Sequence, residues 1–247
     1  MRNNLFSIFC GLFFFLFTFN FSIADEEDKL SSIQIIQSSE LTIKTLLENE
    51  DISNFREYIS NCRGVLIFPN VYEGGLLFGA KGGNGLLLIR KSEGEFSGPF
   101  FFSIGGLSVG LQIGVKKGRV VMTVMTNRGL KSVLKERVKF GVDVDAAVIS
   151  EGVGYSAEST IRLADIYSFS DNSGLFIGGS LEGSYIQPRN DLNFSIHKKN
   201  FTSSEMIKSK LLSQEAQNLA KLIKKIENNV HLKTANSCNF LWAWFKK

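Results

Sequence analysis

All but one of the 23 glycines lie between Gly64 and Gly183, which places 22 of them in one 120-residue block. That is about 18%, against a usual value near 7%. Short alternating runs of β-branched and aromatic residues separate them, and the whole chain holds only 3 prolines. A collagen repeat needs glycine at every third residue with abundant proline, and a flexible linker needs polar filler; neither describes this block. What remains is a β-rich core whose strands carry little side-chain bulk on one face. In Pro99–Val115 the odd positions Phe101, Ser103, Gly105, Leu107, Val109, Leu111, Ile113 and Val115 form a mainly apolar face. The even positions from Gly106 onward, Gly106, Ser108, Gly110, Gln112 and Gly114, are nearly bare backbone. Such faces admit a closely packed layer or relieve crowding where a coiled sheet bends.

The block contains no histidine and no cysteine. His-based nucleophile relays and Cys/His metal sites therefore have no raw material there, and no metal or other cofactor is expected. Gly106-Leu107-Ser108-Val109-Gly110 matches the pattern of a nucleophile elbow. That elbow turns from strand into helix, whereas residues after Ser108 keep the strand alternation, so a serine hydrolase is only a remote alternative. Gly79–Gly85 has the composition of a phosphate cradle, yet leads into the strand-like Leu86-Leu87-Leu88-Ile89 instead of a helix. Asp143 and Asp145, with Glu151 and Glu158 beyond them, read as a solvated strand face. Glu182, the only charge in Gly178–Ser184, needs a partner if buried.

The ends differ from the block. Residues 1–24 read as a targeting signal: Arg2, the apolar stretch Leu5–Phe21 and the small-x-small site Ser22-Ile23-Ala24. An uncleaved anchor is the competing reading. Cleavage leaves 27 basic against 24 acidic residues, and this weak balance gives no reason to expect nucleic acid as a partner. The exported chain keeps Cys62 and Cys238, either as one disulfide joining the domain's ends or as two buried thiols. Ile33, Ile36, Ile43 and Leu47, then Ile52, Phe55 and Ile59, have helical spacing.

Strands are expected at Gly64–Phe68, Tyr72–Ala80, Gly85–Arg90, Pro99–Val115 and Arg119–Thr126. Turns at Asn70, Lys81–Asn84, Ser92–Gly94 and Lys116–Gly118 would join them into an antiparallel meander. A short helix follows Thr126, then further strands at Gly141–Ser150, Gly154–Ser159, Leu163–Phe169 and Gly174–Gln187. Thr202-Ser203-Ser204-Glu205 offers a capping box for a helix carrying Ile207, Leu211, Leu219, Leu222, Ile223 and Ile226. The tail holds Trp242 and Trp244 and ends in two lysines. The organisation read is 1–24 signal, 25–62 helical segment, 63–195 glycine-rich core and 196–247 helix and aromatic tail. The class is α+β, with a coiled or barrel-like antiparallel sheet between amphipathic helices.

Arg63–Pro69, Gly74–Gly85, Pro99–Gly106, Gly110–Gly114, Gly174–Phe176 and Ser180–Ser184 together resemble the SYLF family, a lipid-binding domain also described as an actin-binding module in its fungal members. The resemblance implies a compact β-rich domain with flanking helices that binds phosphoinositides or other anionic lipids without catalysis. It transfers no catalytic residue. Grouped with exported bacterial members, the chain is expected in the periplasm or secreted, on or near a membrane, with actin not expected as a partner. An envelope scaffold that binds another protein is the alternative. Lys81, Arg90, Lys116, Lys117 and Arg119, read as lying at strand reversals, are the expected headgroup contacts, with Trp242 and Trp244 as interfacial anchors.

Overall fold

The change of sequence period near residue 63 is also the first change of structure. A computed structural model describes residues 2–48, 54–75, 78–91, 94–109, 114–149, 164–171 and 184–244. Side chains are described between 25 and 230, except at 78, 108, 109, 114 and 147–149. Helices α1 (Arg2–Glu48) and α2 (Phe55–Asn61) precede four long strands. These are β1 (Gly64–Gly75), β2 (Phe78–Arg90), β3 (Phe96–Val109) and β4 (Gly114–Val124). Then come α3 (Asn127–Val133), β5 (Val138–Lys139), β6 (Ala146–Ile149), β7 (Ile166–Ser170) and β8 (Ser184–Pro188). Helices α4 (Asn190–His197), α5 (Ser203–Lys208) and α6 (Gln217–Trp244) close the described chain.

The strands form one eight-stranded sheet in the order β5-β8-β3-β2-β1-β4-β7-β6, curled into a half-barrel. The α+β class with flanking helices is thus as the sequence indicated. The connectivity differs from a meander: β4 pairs with the outer side of β1 instead of β3, and β6 runs parallel to β7. The expected strands 154–159 and 174–183 lie outside the described residues.

Both faces of the sheet are covered at one end. On the first face, Leu66, Leu87, Phe100, Phe102 and Met122 meet α3 and α5 through Leu130, Val133, Leu134 and Met206. On the second, Val65, Ile67, Leu86, Leu88 and Phe101 meet Ile36 and Ile43 of α1, Phe55 and Ile59 of α2, and Leu219, Ile223 and Ile226 of α6. Because both faces are dry, β2 reads as the continuous apolar run Leu86–Ile89 at this end. Small buried residues Ser32, Ser39 and Thr42 let α1 lie close to its neighbours, and the Ser32 and Ser195 hydroxyls sit 3.0 Å apart.

The turns expected at Lys81–Asn84 and Lys116–Gly118 do not exist; both segments lie inside strands, β2 and β4. The reason is a bulge in β1 between Ile67 and Asn70, which pushes its backbone towards β2. A Cβ on Gly83 would overlap the Asn70 carbonyl oxygen, and one on Gly85 the Ile67 carbonyl oxygen. These glycines mark a close approach of two strands, not a reversal. The single helix expected after Thr202 is also divided. Its capping box forms as read, between Thr202 and Glu205, but α5 stops at Lys208. The backbone of 211–213 then pairs with Gly98, with Gly98 N–H donating to the Leu211 carbonyl at 2.8 Å and Ser213 N–H to the Gly98 carbonyl at 2.9 Å.

Candidate binding cleft and sheet tip

Beyond Val71 the same four strands change character. Their register sets three successive residues of β1 into three transverse rows. Tyr72 belongs to the row Lys117–Tyr72–Gly82–Gly105–Tyr185–Lys139, running across β4, β1, β2, β3, β8 and β5. Glu73 belongs to Lys116–Glu73–Lys81–Gly106–Ser184, and Gly74 to Val115–Gly74–Ala80–Leu107. Side chains alternate along a strand, so the first and third rows share the face that α1 covers further down, and the middle row takes the other.

The middle row is a charge ladder. Glu73 is 2% exposed and Lys81 6%, directly opposite one another. A Cβ on Gly106 would come within 2.8 Å of the Lys81 Cε and 3.2 Å of the Ser184 hydroxyl. The lysine stem is thus laid across the bare backbone of β3. Burial holds the Lys81 ammonium below its usual pKa, and the Glu73 charge partly opposes that. Neither Glu73 carboxylate oxygen accepts a hydrogen bond among the described residues.

The other face carries a cleft of about 760 Å³ between α1 and the sheet. Ser31, Gln34, Ile35 and Ser38 of α1 form its roof. Its floor is the Tyr72–Gly82–Gly105–Tyr185 row and, one step closer to the core, the row Asn70–Asn84–Ser103. Tyr185 leans over Gly105, since a Cβ there would lie 2.7 Å from the ring. Gly82 is the open spot: a Cβ there meets only the Ile104 carbonyl oxygen, at 3.8 Å. The third row continues this face to the end of the sheet, where Leu107 and Val115 are 81% and 79% exposed.

The cations singled out in the sequence therefore occupy three environments. Lys116 and Lys117 are exposed at the sheet tip, and the Lys117 ammonium lies 5.5 Å from the centre of the Tyr72 ring. Arg119 is held by Asp171, with its guanidinium donating to the carboxylate at 2.6 Å. Arg90 is turned inward, donating to the carbonyls of Cys62 and Ile59 at 2.8 Å and to Glu227 of α6. Lys81 is buried beside Glu73. None of the five stands at a strand reversal except Arg90, at the end of β2.

Cys62 is a buried free thiol, which burial pushes up to about 11. Its suggested partner Cys238, like Trp242 and Trp244, lies in α6 with its side chain outside the described residues, as are the side chains of 1–24. Glu182 falls outside them too. Ser108 lies within β3, opposite Gly79 of β2. Sequence reading missed Glu73, Tyr72, Tyr185 and the α1 roof. Glu73 and Lys81 were findable, as the only two charges between Val71 and Gly85.

Comparison with known proteins gives the family: the profile of Ysc84, described as Las17-binding protein actin regulator, matches residues 105–226. The chain carries a Ysc84/SYLF family domain. It is 31% identical over 137 residues to the SH3 domain-containing YSC84-like protein 1 of Xenopus laevis, covering 55% of this chain and 41% of that one. The human protein of the same name is 29% identical over 137 residues, covering 55% and 40%. LAS seventeen-binding protein 3 of Saccharomyces cerevisiae is 24% identical over 160 residues, covering 63% and 34%. The chain thus spans about two fifths or less of the length of these curated relatives. These descriptions overturn the expectation that actin is not a partner. They point to actin-regulatory proteins, and that expectation had rested on the reading of residues 1–24 as an export signal, not on the domain.

Proposed function

We propose that this is a non-enzymatic binding domain whose sheet tip attaches to anionic membrane surfaces. One observation carries the reading: the exposed apolar pair Leu107 and Val115 shares the sheet end with the exposed lysines Lys116 and Lys117. Apolar side chains flanked by cations suit the boundary between acyl chains and headgroups. Each basic residue there contributes about 1 kcal/mol near an anionic leaflet. Flotation with vesicles of phosphatidylcholine, with and without phosphatidylserine, tests it. Recovery rises with phosphatidylserine and is lost in Lys116→Glu/Lys117→Glu; equal recovery on both vesicles sinks the reading. The N-terminal segment 1–24 belongs to the same proposal as a delivery signal, checked by the mass of the mature chain.

A second reading is favoured by the family descriptions: the domain acts within actin-regulatory machinery, through actin or a regulator of it. Co-pelleting with actin filaments tests it directly. If the tip variant pellets as the parent does while failing to float with vesicles, the two activities use different surfaces.

A further inference from the structure

We propose that the cleft beneath α1 is a binding site for an uncharged, hydroxyl-rich ring, either a free sugar or the glycosyl headgroup of a lipid. The inference does not rest on the anionic-surface reading, which concerns the sheet end beyond the cleft.

Three properties of the cleft carry it. The first is size: about 760 Å³ lies within the roughly 300–1,000 Å³ typical of small-molecule sites. The second is the chemistry of the lining. Ser31, Gln34 and Ser38 above, with Asn70 and Ser103 below, present hydroxyls and amides that make no side-chain hydrogen bond among the described residues. Neither the Tyr72 nor the Tyr185 hydroxyl makes a hydrogen bond among the described residues. Amides and hydroxyls each both donate and accept, which is what a polyol needs, whereas an acyl chain would leave them unsatisfied at a cost. The third is the floor. Tyr72 and Tyr185 bracket Gly82 and Gly105 in register. Three strand spacings of about 4.8 Å set the two tyrosine columns roughly 14 Å apart. A sugar ring lies flat over the half-buried Gly82 backbone and offers its C–H face to either phenol, an apolar-body, polar-rim match.

The charges argue for a neutral ligand. Lys81 also borders the cleft, but it projects from the alternate row, opposite the buried Glu73 carboxylate. Lys117 and Arg137 lie against the outer tyrosines, at 5.5 Å from the Tyr72 ring and 3.8 Å from the Tyr185 ring. Arg189 donates to Asn84 Oδ1 at the floor at 2.9 Å, but Asp191 already holds its guanidinium at 2.6 Å, so a phosphate between the tyrosines would gain little. The exposed Leu107–Ala80–Gly74–Val115 row leads away from the cleft on the same face, giving the chains of a glycolipid an apolar path if the ring is a headgroup.

The test uses the full-length protein. Saturation-transfer NMR is run with lactose, maltose and trehalose, with sorbitol as an open-chain control. Flotation is run on phosphatidylcholine vesicles with and without digalactosyldiacylglycerol. Expected is transfer to the ring protons of at least one disaccharide, or flotation only with the galactolipid, and little transfer to sorbitol. The first result identifies a free sugar as the source and the second a headgroup. Gly82→Val, which fills the open floor position, lowers the affinity by about tenfold, some 1.4 kcal/mol. Gln34→Trp, at an exposed position of the α1 roof, does the same from above and serves if the strand variant fails to fold. Lys116→Glu, which stands on the alternate row and faces away from the cleft, weakens binding to anionic vesicles and leaves sugar binding unchanged. Absence of both signals, or parent-like binding by a folded Gly82→Val or Gln34→Trp, overturns the proposal.

Discussion

The two ends of β1 to β4 are built on the same register from opposite materials. From Gly64 to Phe68 and across Leu86–Ile89, Phe100–Phe102 and Val120–Val124, described side chains on both faces are buried. From Tyr72 onward the rows alternate between bare glycine, a buried charge ladder and exposed apolar side chains. One end is packed on both faces; the other borders the cleft and the exposed sheet tip. The comparison teaches that the glycine excess is a means of joining these ends within single strands, since it lets a bulged β1 press against β2 without a change of partner.

Removing bulk from the packed end has the largest expected effect. Phe101→Ala leaves a cavity between β3 and the helical layer and costs about 3–5 kcal/mol. Denaturant unfolding reads it as a fall in midpoint at nearly constant slope. Comparable loss from Leu107→Ala at the exposed end would break the comparison.

The charge ladder comes next. Glu73→Gln removes the charge that supports the buried Lys81 ammonium, and because neither Glu73 oxygen accepts a hydrogen bond among the described residues it costs less than the about 3–5 kcal/mol of breaking a hydrogen-bonded buried pair. The double variant Glu73→Leu/Lys81→Met recovers most of that stability in the same unfolding assay. Failure of the double variant to recover would mean that the two charges do not act as a pair.

The glycines sharpen the contrast further. Gly85→Ala drives a methyl into the β1 backbone and the Phe68 ring, and costs about 1–3 kcal/mol or more. Gly82→Ala, whose methyl finds open space, is neutral or stabilises by up to about 1 kcal/mol through the unfolded chain. Equal destabilisation by the two would remove the distinction between a glycine that packs and a glycine that leaves room.

These particulars also show what was legible beforehand. The α+β class, the helical spacing of Ile36 and Ile43, the strand at Leu86–Ile89 and the Thr202–Glu205 capping box follow from local chemistry. They survive because each depends on neighbours within a turn or two. The register does not. Lys81-Gly82-Gly83-Asn84 has turn composition, and only the β1 bulge, a contact between distant residues, explains why those glycines sit mid-strand. The error carried Lys81 from a buried ladder to an imagined hairpin tip. The cleft was invisible for the same reason: its roof and floor are separated by more than thirty residues, and nothing in Ser31, Gln34 or Ser38 alone marks a site.

The smallest expected effects are those of pH, and they separate the two ends by where they titrate. At the packed end, His197 lies between Phe100 and Phe201 with its Nε2 2.8 Å from the Pro99 carbonyl oxygen. Burial is the leading influence and lowers its pKa below 6.5; the Pro99 carbonyl and the Glu215 charge oppose it. The folded state then binds fewer protons than the unfolded chain just below pH 6.5, so stability is full above that value and is lost as pH falls through the window. At the other end, burial lowers the Lys81 pKa below 10.5. By the same rule stability rises as pH climbs towards 10.5, where the folded state gives up its proton first. Unfolding midpoints between pH 5 and 7.5 therefore flatten in His197→Gln, and those above pH 8 flatten in Lys81→Met, each leaving the other window untouched. A single variant that flattens both would show that the two ends do not titrate independently.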